Sequence, residues 1–254
     1  MMPIGEYFSL LTKQMYEELD EGYQTAFVAV IDPVKLGLVQ SLEKPGGFMS
    51  GVSMEMDSPI EYPEKVALFR PYIGNILLPY GPECLSGLLD ERAHVAADYL
   101  RAVGFSVSMV PIHSANDAVV AFEKNVDSID SVMLLEGCFS TMSVNRLAYL
   151  SWLHKKILFG NNCKEGVAMG ATCSYGRDYG DLAEIAVRMV HHYWDDRRLM
   201  LQQPVITLPS NRIFIVNESW LRQIGDSDVL IEKLCRAPGV TVVQFWPASP
   251  SILV

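Results

Sequence analysis

Two neighbouring segments decide how this sequence folds: AFVAVIDPVKLGLV, residues 26–39, and KPGGFMSGVS, residues 44–53. The apolar run 27–31 is continuous, which is typical of a strand that is covered on both faces. An Asp-Pro turn and a short helical segment follow it. The Pro-Gly-Gly bend at 45–47 then leads into a second extended segment, and we expect the chain to cross between two lobes there.

Farther along the chain, strand and helix patterns alternate with short connections. The strands are predicted at 75–80, 105–112, 131–135, 156–159, 166–173, 212–216 and 240–245. The helices are predicted at 6–21, 59–69, 85–103, 115–126, 142–154 and 178–194, with a helical turn at 219–224. Such alternation indicates an α/β fold with a doubly wound parallel sheet that carries helices on both faces.

The composition limits the classes of function that are open to this chain. Of its 254 residues, 50% are hydrophobic and 20% are charged, so a large core can be buried. The formal net charge is -10 and no basic run is present, which argues against a nucleic-acid partner. Residues 1–7 lack the basic and apolar regions of a signal peptide, so the chain as written is expected to stay in the cytoplasm.

The sequence carries no motif for metal binding, cofactor binding or catalysis. Its five cysteines are odd in number and show no C-x-x-C spacing, so they are interpreted as free thiols. His191 and His192 are adjacent, whereas a helical metal site needs a spacing of four residues. No G-x-S-x-G, H-E-x-x-H or phosphate-binding loop is present. We therefore predict no enzyme activity, no cofactor and no metal.

Ligands of open parallel sheets bind beyond the carboxyl ends of the strands. The loops at these ends are rich in small and hydroxyl residues that begin helices, where free backbone N–H groups favour an anion. Such residues are also common helix caps without any ligand. The candidate ligand-binding residues from these loops are Asp32, Pro33, Tyr80, Gly81, Cys84, Ser86, Gly137, Cys138, Ser140, Thr141, Asn161, Asn162, Ser174 and Tyr175.

Four segments in register resemble one known family. Beside the opening segments, PYIGNILLPYGPECLS at 71–86 and GATCSYGRDYGDL at 170–182 are similar to its motifs, and QQP at 202–204 with 217–225 resembles its closing strand and helix. The family is that of ABC importer solute-binding proteins with the type I periplasmic-binding fold, in the branch that includes aromatic amino acid binders. The likeness spans residues 26–225.

The resemblance implies two doubly wound parallel-sheet lobes that close on a small-molecule ligand, such as an amino acid, and deliver it to an ABC permease without chemistry. By position, the candidate residues given above would line the cleft between the lobes. The family is extracytoplasmic. Relatives often carry an acid where this chain has Asn161 and Asn162, so an ammonium group would need Asp32 or Glu136, or the ligand is not an amino acid. The family's Asn-Pro-Gly loop is replaced by Tyr-Gly-Pro at 80–82.

Relatives also place several strand-helix units before the opening segment, which begins here at residue 26. We therefore expect an incomplete first lobe, made of 1–50 and 166–200, a complete second lobe at 51–165, and closing strands and a tail at 201–254. Either upstream sequence is missing from this chain, or a partner subunit covers the exposed apolar faces of such a remnant. The alternative function is accordingly a truncated, non-transport remnant that acts as a structural or regulatory homodimer.

Overall fold

The computed structural model describes residues 5–19, 25–54, 58–83, 87–177, 179–192, 202–208, 212–224 and 227–244. The chain divides into two compact units. The first contains Met1–Asp57 and Asp178–Asn211, and the second contains Ser58–Arg177 and Arg212–Val254. Among the helices described, none is long and apolar enough to cross a membrane.

The first unit is built on a small parallel sheet. Its strands are β1 (Thr25–Val30), β2 (Met49–Met54) and β8 (Ile206–Leu208), and they lie in the order β1-β2-β8. Two helices, α1 (Gly5–Leu19) and α7 (Tyr179–His192), belong to the same unit. The second extended segment predicted after the Pro-Gly-Gly bend is therefore confirmed as β2.

Strand β1 is buried along its whole length, as its continuous apolar run predicted. Alternate side chains of a strand point to opposite faces. Ala26 and Val28 pack with Ala186 of α7 on one face, and Phe27 packs in a separate cluster on the other. A β-bulge between Val28 and Val30, where Ala29 has a φ of 60°, shifts the alternation and places Val30 in the cluster of Phe27. A strand with both faces covered needs apolar residues at every position, which explains why β1 has no polar alternation.

The second unit carries the larger sheet. Its strands are β3 (Asn75–Tyr80), β4 (Ser106–Pro111), β5 (Ser131–Met133), β6 (Ile157–Asn161), β7 (Cys173–Arg177), β9 (Arg212–Asn217) and β10 (Val240–Val243). Its helices are α2 (Glu61–Ala67), α3 (Leu88–Ala102), α4 (Ala115–Asn125), α5 (Cys138–Leu153), α6 (Cys163–Ala168), α8 (Glu218–Ile224) and α9 (Asp228–Arg236).

The strand order β10-β9-β7-β6-β5-β3-β4 fixes where this unit can hold a ligand. Strand β3 pairs in parallel with β4 on one side and with β5 on the other. The chain therefore reverses its direction of growth between β3 and β5. Loops diverge at such a switch point and leave a crevice at the carboxyl ends of the two strands.

Two apolar clusters cover the two faces of this sheet. One contains Phe69, Phe159 and Phe214, whose rings meet edge to face at 5.0 and 6.3 Å from the ring of Phe69. The other includes Phe122 and Val144 from α4 and α5. The doubly wound parallel arrangement predicted for the second lobe is present, apart from β9, which runs antiparallel to β7.

The prediction of a strand at 166–173 was wrong. Helix α6 occupies the first three residues of that range and ends at Ala168, and β7 begins only at Cys173. Gly166 explains the difference, because a Cβ atom there would lie 2.2 Å from the Asn161 carbonyl oxygen and 2.3 Å from the Ser174 hydroxyl oxygen. The glycines of this segment thus let a short helix pack closely on β6 and β7. Helix α9 was not predicted, although Leu230, Ile231 and Leu234 are spaced to lie on one face of a helix.

The structure divides the chain differently from the expected lobes. The strand expected to complete the first lobe is β7, which pairs with β6 in the sheet of the second unit. The segment 201–254 is not a separate closing region either, because β8 lies in the first unit and β9 in the second. Short apolar strands carry no sequence signal for the sheet that they join, so these assignments required the structure.

Gly51 is required by the close pairing of β1 and β2, where it lies opposite Phe27. A Cβ atom at Gly51 would lie 2.1 Å from the Phe27 carbonyl oxygen, which is backbone and cannot turn aside. We expect Gly51→Ala to lower the free energy of unfolding by about 3 kcal/mol, measured by urea denaturation. Gly47→Ala is the matched control, because nothing lies within 4 Å of its Cβ position. Equal effects of both substitutions would contradict this explanation.

Helix α4 begins with a reciprocal cap that depends on pH. The Ser114 hydroxyl accepts from the Asp117 N–H at 3.2 Å, and an Asp117 carboxylate oxygen accepts from the His113 N–H at 2.9 Å. The hydrogen bond from the His113 backbone, followed by that from Ser114, lowers the pKa of Asp117. The ionised carboxylate therefore stabilises the fold above its unfolded pKa of about 3.9, and this stabilisation is lost as the pH falls through the lower folded pKa.

We expect Asp117→Asn to reduce the dependence of stability on pH below about pH 5. The measurement is the urea midpoint at several pH values between about 6 and 3. Asp127→Asn, at an exposed position of the same unit, serves as the control. Identical pH profiles for Asp117→Asn and the unaltered protein would show that the cap does not depend on the charge.

Candidate functional site

A pocket opens at the switch point of the second unit. It is a narrow crevice with a cavity volume of about 10 Å³, lined by residues at the ends of β3 and β5 and at the starts of α3 and α5. The lining residues are Tyr80, Gly81, Leu89, Leu135, Glu136, Gly137, Phe139 and Ser140. A cavity of this volume has room for about one water molecule. The crevice therefore offers one end of a binding site and does not by itself enclose a whole amino acid.

The floor of the pocket is the start of helix α5. Gly137 precedes the helix with a φ of 154°, a conformation that side chains disfavour, and a Cβ atom there would lie 3.1 Å from Leu89 Cδ1. Helix α5 is 16 residues long, and its first turn contains no acidic residue. The N–H groups of a first helical turn lack acceptors within the helix and carry a partial positive charge. This end of the pocket therefore favours an anionic group.

The other walls are mainly apolar. Leu89 is buried, and Leu135 and Phe139 are partly buried against the two clusters of the core. The Tyr80 ring, at the end of β3, meets the His94 imidazole edge to face at 5.8 Å. Aromatic and apolar walls around one polar end are typical of a site for an amphipathic small molecule.

Glu136 forms an ion pair with Arg212, which begins β9. Arg212 Nη1 donates to Glu136 Oε1, and Arg212 Nη2 lies 3.4 Å from Oε2, so the guanidinium faces both carboxylate oxygens. The Arg212 side chain is 2% exposed and the Glu136 side chain is 24% exposed. Because β6 and β7 lie between β5 and β9, this pair bridges the edge of the sheet across two strands.

Arg212 rests on a stack of two tyrosine rings. Its guanidinium carbon lies 5.7 Å from the centre of the Tyr175 ring, which stacks on the Tyr62 ring at 4.8 Å. The Tyr62 hydroxyl donates to the Gly160 carbonyl at 2.6 Å. Burial, with smaller effects of Cys173 and Tyr175, raises the pKa of Tyr62, so this hydroxyl stays protonated. The stack thus packs against one face of the Arg212 guanidinium and limits where this side chain can move.

Asn161 and Ser174 form a buried network beside the pocket. The Asn161 side-chain amide donates to the Leu135 carbonyl at 2.9 Å, and the Ser174 hydroxyl donates to the Asn161 carbonyl at 2.8 Å. Asn162 takes a left-handed conformation with a φ of 69° and precedes α6. Asn161 and Ser174 are almost fully buried, so the geometry gives them a supporting role for the loop that follows β5.

The candidate residues from the sequence are distributed unevenly around this pocket. Tyr80, Gly81, Gly137 and Ser140 line it. Cys138 and Thr141 lie in the first turn of α5, where only their backbone is described, and Cys84 and Ser86 lie outside the described residues.

The remaining candidates do not line the pocket in the described structure. Asn161, Asn162, Ser174 and Tyr175 lie at the same edge of the sheet, beside the pocket. Asp32 belongs to the first unit, where its carboxylate accepts from the Lys35 N–H at 2.9 Å, and Pro33 beside it is buried.

The sequence list missed Leu89, Leu135 and Phe139, and it treated Glu136 only as an alternative partner for an ammonium group. Apolar lining residues carry the same signal as core residues, so no pattern separates them. Arg212 was missed because it begins a strand, and only the antiparallel pairing of β9 with β7 brings it to the carboxyl-end edge.

The described residues hold no group of three or more His, Cys, Asp or Glu side chains that could bind a metal ion. Burial raises the pKa of the Cys173 thiol, which keeps it in its unreactive protonated form. The site as described therefore offers hydrogen-bond donors, one ion pair and apolar walls, which are groups suited to binding.

This chain is similar to known proteins in sequence and in fold. The sequence profile of the family described as ABC transporter substrate binding protein matches residues 25–219. The tyrosine-binding protein of Clostridioides difficile (strain R20291) is 28% identical over 204 residues, which are 77% of this chain and 55% of that relative. The chain thus spans about half the length of that curated relative.

Solved structures resemble this chain over almost its whole length. An ABC domain in complex with L-Trp from Streptococcus pneumonia has a TM-score of 0.75 and 17% identity, with 95% of this chain and 80% of that chain covered. A conserved domain protein from Vibrio cholerae has a TM-score of 0.73 and 18% identity, with coverages of 94% and 77%.

A ligand-free, open substrate-binding protein with adhesive properties from Clostridium difficile has a TM-score of 0.58 and 21% identity, with coverages of 96% and 78%. Likeness at these identities shows the fold alone. It confirms the type I periplasmic-binding fold that the sequence predicted.

The Glu136–Arg212 pair is expected to stabilise the second unit. Glu136→Gln leaves the guanidinium of Arg212 buried without this carboxylate, and loss of one partner of a buried pair costs about 3 kcal/mol. Removal of both charges in Glu136→Gln with Arg212→Met is expected to cost less than the sum of the single effects. Urea unfolding of the three variants measures this coupling. Strictly additive effects would contradict it.

Proposed function

This chain belongs to the family of ABC transporter substrate-binding proteins, and we propose that it captures a small aromatic carboxylate, such as an aromatic amino acid, for an ABC importer. Its own part in this process is to bind and release the molecule without chemical change. The proposal also places it outside the cytoplasm with a membrane permease as its partner. These statements go beyond family membership and are put forward for test.

The observation that carries the proposal is the position and chemistry of the pocket. It lies at the switch point between β3 and β5, which is where open α/β sheets hold their ligands. The first turn of α5 at one end favours a carboxylate. The apolar side chains of Leu89, Leu135 and Phe139 at the other walls favour a hydrophobic group.

The aromatic character of the ligand is supported by the rings in the walls. Tyr80 and Phe139 both line the pocket, and ring pairs gain about 0.5–1.5 kcal/mol beyond the burial of their area. Two similar proteins point the same way: one relative is a tyrosine-binding protein, and one solved structure holds L-Trp. We therefore place tyrosine, tryptophan and phenylalanine first among the amino acids to be tested.

Ligand binding to the folded state raises the melting temperature. A ligand at 100 times its Kd stabilises the protein by about 2.7 kcal/mol. The test is a thermal-shift screen of the aromatic amino acids, their deaminated analogues and a panel of aliphatic amino acids and sugars. We expect a saturable shift with aromatic carboxylates. A folded sample that responds to none of them would refute the proposal, and a response to sugars alone would redirect it.

Ser140→Asp provides the structural control for this screen. Ser140 lies in the first turn of α5, is 4% exposed and lines the pocket. A carboxylate at this position would accept hydrogen bonds from the same N–H groups as the ligand. Ligand binding should therefore be lost, while the N–H groups of the first turn of α5 still have an acceptor. Ser140→Asn has almost the same shape without the charge and should retain more affinity. Equal affinity of the two variants would argue against a carboxylate subsite at α5.

A further inference from the structure

The charge of the pocket lining lies on Glu136, which pairs with Arg212. Of the eight described residues that line the pocket, Glu136 alone carries a charge at neutral pH. A free carboxylate at that position would attract the ammonium group of a ligand and would repel its carboxylate. The state of Glu136 therefore decides which charged group the pocket accepts.

Arg212 faces both oxygens of this carboxylate and is itself withdrawn from solvent. Its two terminal nitrogens face Oε1 and Oε2 of Glu136, and its side chain is 2% exposed. The Tyr175 ring lies beneath the guanidinium, and the Tyr62 ring lies beneath Tyr175. A fork of this kind is pre-organised, so the pair is expected to persist when a ligand arrives.

Arg212 does not line the pocket. Its effect on a ligand would act through the charge of Glu136 and through the position of the loop between β5 and α5. Glu136 thus lines the pocket, whereas Arg212, behind it, determines how much of the Glu136 charge a ligand would experience.

We propose that Arg212 is a specificity-determining residue: by neutralising Glu136, it makes this pocket select the carboxylate of an aromatic ligand rather than an ammonium group. The inference rests on the proposed function and names its ligand class more closely. The first turn of α5 is then the group that recognises charge in the second unit. Aromatic monocarboxylates without an amino group should consequently be good ligands.

Substitutions of the pair should shift this preference in opposite directions. Arg212→Met removes the cation that pairs with the Glu136 carboxylate, which favours an ammonium group. Glu136→Gln leaves the Arg212 cation, which favours a carboxylate still more. The double variant lacks both charges and should return to the preference of the unaltered protein, as should Arg212→Lys, which keeps the cation.

Two probes each carry one of the two charged groups of tyrosine. The probe 3-(4-hydroxyphenyl)propionate carries the carboxylate, and tyramine carries the ammonium group. Isothermal titration calorimetry at low ionic strength gives the ratio of their Kd values for each variant. A unit charge about 10 Å from the ligand charge, at an effective dielectric constant of about 20, changes each Kd roughly tenfold.

The ratio distinguishes a role in specificity from a role in stability. A variant that only loosens the loop weakens both probes equally and leaves the ratio unchanged. Arg222→Met is the matched control, because Arg222 is a half-exposed arginine of the same unit that pairs with Glu218 and Asp228 and does not line the pocket. It should change neither Kd. If Arg212→Met unfolds, Glu136→Gln and Arg212→Lys still give the ratio.

The outcomes separate the two proposals. The inference is supported when the unaltered protein prefers the propionate and the ratio moves about a hundredfold in the stated directions, because the two Kd values change in opposite senses. A preference of the unaltered protein for tyramine, or a ratio that stays constant across the folded variants, overturns the role of Arg212 alone. Failure of the unaltered protein to bind either probe or tyrosine overturns the proposed function together with it.

Discussion

The reversal of chain growth between β3 and β5 is the constraint on which the second unit depends. Parallel strands need crossover helices, and the crossover after β3 leads to β4 whereas the crossover after β5 leads to β6, toward opposite edges of the sheet. The loops that follow these two strands must therefore separate, and the space between them cannot be filled by either crossover. The pocket at Tyr80 and Gly137 follows from this topology before any side chain is considered.

The antiparallel pairing of β9 with β7 adds a second element to the same edge. A parallel strand would bring its carboxyl end there, whereas β9 brings its first residue, Arg212. A long cationic side chain thus reaches the loop after β5 from across two strands, with the Tyr175 ring beneath it. The ion pair with Glu136 connects the loop after β5 to β9. The Asn161 side-chain amide donates to the Leu135 carbonyl of the same loop.

Most of the sheet of the second unit could be predicted from the sequence, because its buried strands and amphipathic helices alternate with short connections. Local patterns could not reveal which sheet a short strand joins, as the assignment of β7 shows, or that a glycine such as Gly166 serves close packing rather than a bend. The candidate site was predictable where a polar or glycine residue ends or follows a strand, as at Tyr80 and Gly137. It was not predictable where apolar walls or a distant arginine complete it.

The charge state of the pocket shows why residue type alone does not identify a ligand. From the sequence, Glu136 was a candidate partner for an ammonium group, and its position after β5 supported that idea. The structure places a buried guanidinium against both of its oxygens, which cancels most of its field at the ligand. Each residue stabilises the other. The Arg212 side chain is 2% exposed, so its charge needs the Glu136 carboxylate as a partner, and the carboxylate is neutralised by the guanidinium in return. A pocket lined by an acid can therefore favour an anion when the counter-charge lies one layer behind the lining.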